Sequence, residues 1–474
     1  VPQLGTDSWK VFSDGHMDVT WAFQPGIVWQ DGTPFSMDDF LFAHQVYSRP
    51  ELGASSSPAL RAIQGVIALT DRTLVVSYKE PFPDALVDTL KPLPRHLLAD
   101  SFQRNDPNAF ANDAYWTTAY VQLGPWKLTQ WQPGSFIEGV AFDQHVLGRP
   151  KIDKVRAEFV ADVNTAMAKT VAGEVHIVAS GTFISISQAQ ELKKQWDQSG
   201  AGTIAMYGVL WRTSDVQKRP EYAKPAGLLD ARVRKALASA INKKEIGDAA
   251  WSGLMQEADF FAPPDTLLGA AADKVVAKYP FDLRRAEQLM TEAGFAKGSD
   301  GVYANASGRF QMQVETAEAP EWLAEMGIMA DNWRKAGFDT EEYVIPAALA
   351  GEPQARVLYS GTSNYTTGQK MAVGNLTGAQ CPKSETNYRL GSNRGCWMAP
   401  EYDRLAALFA TTLDPKERTT QVAQMARVYG EDLPTIPLFY LTQPYFWVSG
   451  LQGVTGQTSD GDIKWNMYEW EWIK

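Results

Sequence analysis

The chain has 474 residues, with 44 Lys and Arg against 55 Asp and Glu, a net charge of −11. At about 150 residues per domain this length points to roughly three domains with ample core, so folding needs neither metal nor disulfide. Apolar residues at 45% and charged residues at 21% exclude disorder and fibrous repetition, and the acidic balance argues against a nucleic-acid partner.

The chain begins at Val1 without the basic and apolar regions of a signal peptide, which reads as a cytosolic protein or as a mature or trimmed form. No run reaches the about 18 apolar residues of a membrane span. Trp21 to Trp29 ends in the turn Gln30-Asp-Gly-Thr-Pro34, which feeds a helix capped by Ser36 with Asp39 three residues on. Asp71–Tyr78 and Leu123–Trp131 read as strands, the second ended by Gln132-Pro-Gly134. A helix over Val163–Ala172 stops at Gly173, and a strand follows over Val175–Val178.

Ile204–Leu210 reads as a strand followed by a polar loop, after which Asp230 caps a helix over Ala231–Ile241. Asp282 caps Leu283–Ala293, with Gly294 just past the end. Trp322, Met326, Ala330 and Trp333 share one helical face that ends at Gly337, and Asp414-Pro-Lys-Glu417 opens a further helix. Strands alternate with helices, so the class is α/β or α+β. With no long linker or fixed-period repeat, domain joints must be short crossings.

The motif search returns little catalytic chemistry. There is no HExxH, G-x-S-x-G or P-loop. Gly200-Ala-Gly-Thr-Ile-Ala205 stands between a helix and a strand, the reverse of a dinucleotide site. The five His are scattered without ligand spacing, so no metal is expected. Asp38 with Asp39 and Glu341 with Glu342 read as solvated faces; a glycosidase-type pair assembled from distant segments stays open. Cys381 and Cys396, the only Cys, lie in a polar segment. A disulfide there implies an oxidising compartment, with metal binding as the rival reading.

Seven segments resemble, in order, motifs of the family 5 extracellular solute-binding proteins, the peptide, dipeptide and nickel class of ABC-importer receptors. They are Trp29-Gln-Asp-Gly-Thr-Pro through Ala43, Leu123–Trp131, Gly148–Val155, Ala172–Ile177, Asp230–Asn242, Pro280–Met290 and Pro434–Tyr440. The resemblance implies an α/β periplasmic-binding-protein (Venus-flytrap) fold, with two lobes, a hinge and an extra inserted domain. Residues 1–121 would be the extra domain, 122–205 with 442–474 lobe I, and 206–441 lobe II. The hinge crossings would lie near Ala205–Tyr207 and Tyr440–Thr442. An earlier lobe I segment of the family has no counterpart here, which reads as a trimmed or incompletely represented chain. A Cys pair shortly after the region matching Tyr359–Gly368 is found in dipeptide binders of the family, which favours a Cys381–Cys396 disulfide.

The same resemblance implies a periplasmic or outer-face location, a membrane permease as partner, a monomer, no enzymatic activity and no cofactor. Peptide binders of the family carry an Asp that pairs with the peptide α-ammonium, whereas Tyr359–Gly368 contains no carboxylate. A buried ammonium without a counter-charge is costly. The neutral groups Ser360, Thr362, Ser363, Asn364 and Tyr365, with Trp211, Trp251 and Trp397 as stacking walls and Arg212 as an anchor, point instead to an oligosaccharide or similar neutral solute. The 16 Trp of the chain fit such walls, with core packing as the alternative. A peptide held by backbone groups or another counter-charge is the second reading; a carbohydrate-active enzyme or structural surface protein is the third.

Overall fold

The computed structural model describes residues 1–52, 58–160, 162–178, 185–456 and 463–473. Strands β1 (Trp9–Val11), β2 (Met17–Ala22), β3 (Ile63–Thr70) and β4 (Thr73–Tyr78) form an antiparallel sheet in the order β1-β2-β4-β3. Helix α1 (Met37–Tyr47) packs on it, burying Phe40, Ala43 and Val46 against Val19, Val76 and Tyr78. The turn-and-helix motif is held by one carboxylate. Asp39 accepts from Trp29 Nε1 at 3.1 Å and from the Ser36 and Arg95 N–H groups at 3.0 Å. Asp39 is buried, so only Asp38 of that pair sits on a solvated face.

A second antiparallel sheet contains β5 (Trp126–Gln132), β6 (Phe136–Ala141) and β7 (Lys154–Glu158). Helix α2 (Val163–Val171), strand β8 (Ile177–Val178) and helix α3 (Ile186–Ser199) lead into β9 (Gly202–Val216). Here the structure corrects the expected loop. Arg212, Thr213, Ser214 and Asp215 are polar, yet they extend β9 and are almost wholly buried, because neighbouring strands pair with both of its edges.

Helices α4 (Ala231–Ser239) and α5 (Lys243–Trp251) follow, then strand β10 (Gln256–Glu257) and helix α6 (Leu283–Glu292). Strand β11 (Gln311–Ala317), helix α7 (Pro320–Ala336), strands β12 (Asp339–Ile345) and β13 (Thr362–Gly368), and helices α8 (Pro400–Thr411) and α9 (Pro415–Asp432) complete this part. Their sheet runs β10-β14-β9-β13-β11-β12, where β14 is Thr435–Val448 and β8 also pairs with β14. Asp230, Asp282 and Asp414 cap their helices, each accepting backbone N–H bonds in the first turn, and Gly337 ends α7 at φ +108°.

The antiparallel ladder of β9 with β14 runs from Asp215 opposite Thr435 to Gly202 opposite Val448. It joins two cores. Trp211, Leu237, Phe260, Trp333 and Phe439 belong to the larger core; Tyr445, Trp447, Ile463 and Trp470 pack with Ala205 and Ile177 in a smaller one. One break in register lies between Leu441 and Gln443, opposite Leu210 and Tyr207. That irregularity adjoins the crossings expected from the sequence. The architecture is mixed α/β, as the alternation of strands and helices implies. Among the described residues no helix is long and apolar enough to cross a membrane.

Candidate functional site

Strand β13 sits between β9, which it pairs antiparallel, and β11, which it pairs parallel. Its carboxyl end, Gly368, lies opposite Leu210, where the long ladder leaves the larger core. The carboxyl ends of strands are where open α/β sheets receive ligands. Directly paired residues share a face, and the next pair faces the other way. Arg212, Asn364 and Thr316 therefore share one face of the sheet, whereas Asp215, Ser363, Glu315 and Tyr365 share the opposite one.

On the first face everything converges on Glu325 of α7. Arg212 reaches its Oε1 through Nε at 2.9 Å and Nη2 at 2.8 Å. Asn364 Nδ2 donates to the same oxygen at 3.1 Å, and Trp251 Nε1 donates to Oε2 at 3.2 Å. Arg212 and Glu325 are both 0% exposed, and the Arg212 guanidinium stacks 4.7 Å from the Trp322 ring centroid. Three residues expected to touch ligand are thus together, but they bind one another. A buried ion pair needs such surrounding donors to offset desolvation. Glu325 escaped the sequence reading, although it stands one residue before Met326 of the apolar α7 face.

The stacking walls are also occupied. Trp211 is 0% exposed and packs edge-on against Phe261 and Tyr429. Trp397 is buried beside Tyr402, and its Nε1 donates to the Asp432 carboxylate. With Trp251 also buried, none of the three offers a free ring face in this conformation. The expected stacking role is corrected to interior packing for all three, since an indole covered by side chains has no surface left for a sugar.

The second face differs. Asp215, Ser363 and Glu315 stand in one row across three strands, Asp215 opposite Ser363 and Ser363 opposite Glu315. All three are buried, and the Ser363 hydroxyl bonds Glu315. Asp215 Oδ1, Glu315 Oε1 and the Tyr359 hydroxyl are buried without a hydrogen-bond partner. Burial pushes Asp215 up to about 7 against the pull of Arg394 and Lys218, and pushes Glu315 up to about 7 against Ser363 and Arg394. Burial raises Tyr359 and Tyr365 as well. The Arg394 guanidinium lies 4.2 Å from the ring centroid of Tyr365, which is half-buried.

A disulfide between Cys381 and Cys396 closes the loop that carries Arg394. Arg219 bridges the loop, donating to Arg394 O at 2.7 Å and Pro382 O at 3.1 Å. Arg394 is thereby positioned over the second face. Near the carboxyl edge of the sheet, the first residue of α3, Ile186, donates its N–H to Glu321 Oε1 at 3.0 Å and packs in the larger core. The rest of α3 packs through Leu192 and Trp196 on Phe446 of β14. Among the described residues no group of three His, Cys, Asp or Glu could hold a metal ion.

A model of the bacterial extracellular solute-binding proteins, family 5 (middle region), matches residues 1–376. A Brucella ovis protein described as an ABC transporter peptide-binding protein is 28% identical over 273 residues, 57% of this chain and 48% of that protein. The match therefore spans about half the length of that relative. The glutathione-binding protein of Shigella flexneri serotype 5b is 24% identical over 446 residues, 91% of this chain and 79% of the relative. Among solved structures, the oligopeptide-binding protein of Thermus thermophilus complexed with a pentapeptide superposes with a TM-score of 0.79 at 22% identity. That superposition covers 100% of this chain and 87% of the other.

Proposed function

The chain belongs to the family 5 bacterial extracellular solute-binding proteins, and from that premise we propose that it captures a short peptide for an ABC importer. The observation that carries the peptide reading is the family match over residues 1–376, together with relatives named for peptide and glutathione binding. The oligosaccharide reading loses its support. It rested on three Trp side chains that are interior here, and on neutral groups of β13 that lie beside the carboxylates of Asp215 and Glu315.

The proposed mechanism is capture and closure. The β9–β14 ladder acts as the hinge, bending near the register break between Leu441 and Gln443. The peptide lies along the carboxyl edge of β11 and β13 and touches both lobes. It must bind the closed form more tightly than the open one, because equal affinity shifts no population. The closed receptor then docks, as a monomer, on a membrane permease outside the cytoplasm. Nothing in this scheme requires catalysis, a cofactor or nucleic acid.

A thermal-shift screen tests the ligand class. Di- to pentapeptides and glutathione at 100 times their Kd are expected to stabilise the protein by about 2.7 kcal/mol, while cello-, xylo- and manno-oligosaccharides leave the midpoint unchanged. Stabilisation by an oligosaccharide alone would overturn the peptide reading.

A further inference from the structure

We propose that the Cys381–Cys396 disulfide is a redox-active bond, opened by a dithiol, in which the Arg219 guanidinium receives the Cys381 sulfur as a thiolate. This chemistry is independent of which solute the protein carries.

Of the three buried arginines among the described residues, Arg212, Arg219 and Arg234, two have a carboxylate partner. Arg212 is paired with Glu325 and Arg234 with Asp432. Arg219 meets a sulfur instead. Its Nη1 donates to Gln217 Oε1 at 3.2 Å and to Arg394 O at 2.7 Å, and its Nη2 to Pro382 O at 3.1 Å and to Cys381 Sγ at 3.6 Å. Every one of these acceptors is uncharged. The titratable groups that face Arg219 are Tyr359, Glu221, Tyr388 and Tyr222, and Glu221, the one acid among them, acts only through space. A buried cation ordinarily keeps an anion beside it. Here the anion arises when the disulfide opens.

The contact is to Cys381, which makes that sulfur the leaving group and Cys396 the one attacked. A thiolate beside an arginine is stabilised, and a thiol that ionises more readily leaves a disulfide faster. Both cysteines are partly exposed. Arg219 also holds the chain on each side of the bond, through Pro382 O next to Cys381 and Arg394 O near Cys396. Asn393 ties the second side again, accepting from Trp397 N–H at 2.8 Å and donating to Thr377 O at 3.0 Å. The opened sulfurs therefore stay near one another, and the bond can close again.

In the forward step a thiolate of the dithiol attacks Cys396 Sγ. The S–S bond breaks, its electron pair leaves on Cys381, and a mixed disulfide forms at Cys396. The second thiolate of the reagent then attacks its own sulfur and releases Cys396. The dithiol is oxidised by two electrons to a disulfide and loses two protons. One proton goes to Cys396 and one to solvent, while Cys381 remains a thiolate beside Arg219.

The test begins with the parent protein, reduced by dithiothreitol, freed of reagent without oxygen and alkylated by iodoacetamide from about pH 5 to about pH 9. Peptide mass spectrometry reads the rate at each cysteine. The expected result is a midpoint for Cys381 about one pH unit or more below that of Cys396, which follows the ordinary thiol value of about 8.5. Arg219→Gln should erase that separation and Arg219→Lys should keep it. At neutral pH, dithiothreitol should open the bond of Arg219→Gln about fivefold or more slowly than that of the parent. The reduced parent should also gain stability over the variant Cys381→Ser with Cys396→Ser as pH rises from about 6 to about 8.5, because the folded thiol ionises before the unfolded one. Coincident profiles for the two cysteines, an Arg219→Gln bond reduced as fast as the parent's or faster, or a stability gap that does not grow with pH would each overturn the proposal. Because Cys381 and Cys396 are compared within one parent chain, the outcome does not depend on any variant folding.

Discussion

The two faces of one sheet treat buried charge in opposite ways. Beneath α7, Glu325 is met by Arg212, Asn364 and Trp251, so its charge is matched and both of its oxygens are occupied. On the reverse face, Asp215 and Glu315 are equally buried and each retains an oxygen without a donor. The amino-acid types alone would not separate them. The carboxylate oxygens do: both of Glu325's are met by donors, whereas Asp215 and Glu315 each keep one that is not, at a cost in stability wherever they are charged.

The largest expected effect falls on the closed face. Glu325→Gln strands the Arg212 guanidinium in the interior, and loss of one partner of a buried pair costs about 3–5 kcal/mol. Urea unfolding should report that loss whether or not peptide is present. A smaller effect, still independent of ligand, should follow from opening the disulfide. The bridge spans 15 residues, and releasing a loop of about that length costs about 3 kcal/mol in the chain-entropy view. Because that loop carries Arg394, Cys381→Ser with Cys396→Ser should also disturb the second face, read as a higher titration midpoint of Asp215 and Glu315 once the Arg394 charge moves away.

The open face should respond in the other direction. Its two carboxyls hold protons up to about pH 7 when folded, and ordinary unfolded carboxyls only to about pH 4. Between those values the unfolded chain binds fewer protons, so stability falls as pH rises from about 4 to about 7 and then levels. Asp215→Asn or Glu315→Gln should therefore make the ligand-free protein more stable at about pH 8, by on the order of 2 kcal/mol, with the gain vanishing below about pH 4. Denaturation midpoints across that range check the sign. A variant less stable than its parent at high pH would mean that the open face is structural, like its counterpart. The smallest effect belongs to the edge they share. Glu321→Gln weakens the hydrogen bond from Ile186 N–H by about 1 kcal/mol, which should shift the lobes toward the open form in scattering without ligand.

What could be read from the sequence was what is local. Asp39, Asp230, Asp282 and Asp414 announce their helices because a capping carboxylate acts within three residues. The Cys pair was legible because only two exist. The full length of β9 was not, since the run Arg212 to Asp215 looks like a loop until its partners are known, and Glu325 lies 113 residues from Arg212. Trp211, Trp251 and Trp397 illustrate the same limit, because a Trp in sequence looks alike on a wall and in a core. Asp215 and Glu315 become a pair only through the register of β9, β13 and β11, a long-range fact that no spacing in the chain encodes.

The most direct measurement is small-angle X-ray scattering of the protein before and after saturation with Ala-Ala-Ala, because capture by closure about the β9–β14 ladder is the central claim. The expected result is a smaller radius of gyration with the peptide bound. A radius of gyration unchanged at saturation with a bound peptide would contradict capture by closure.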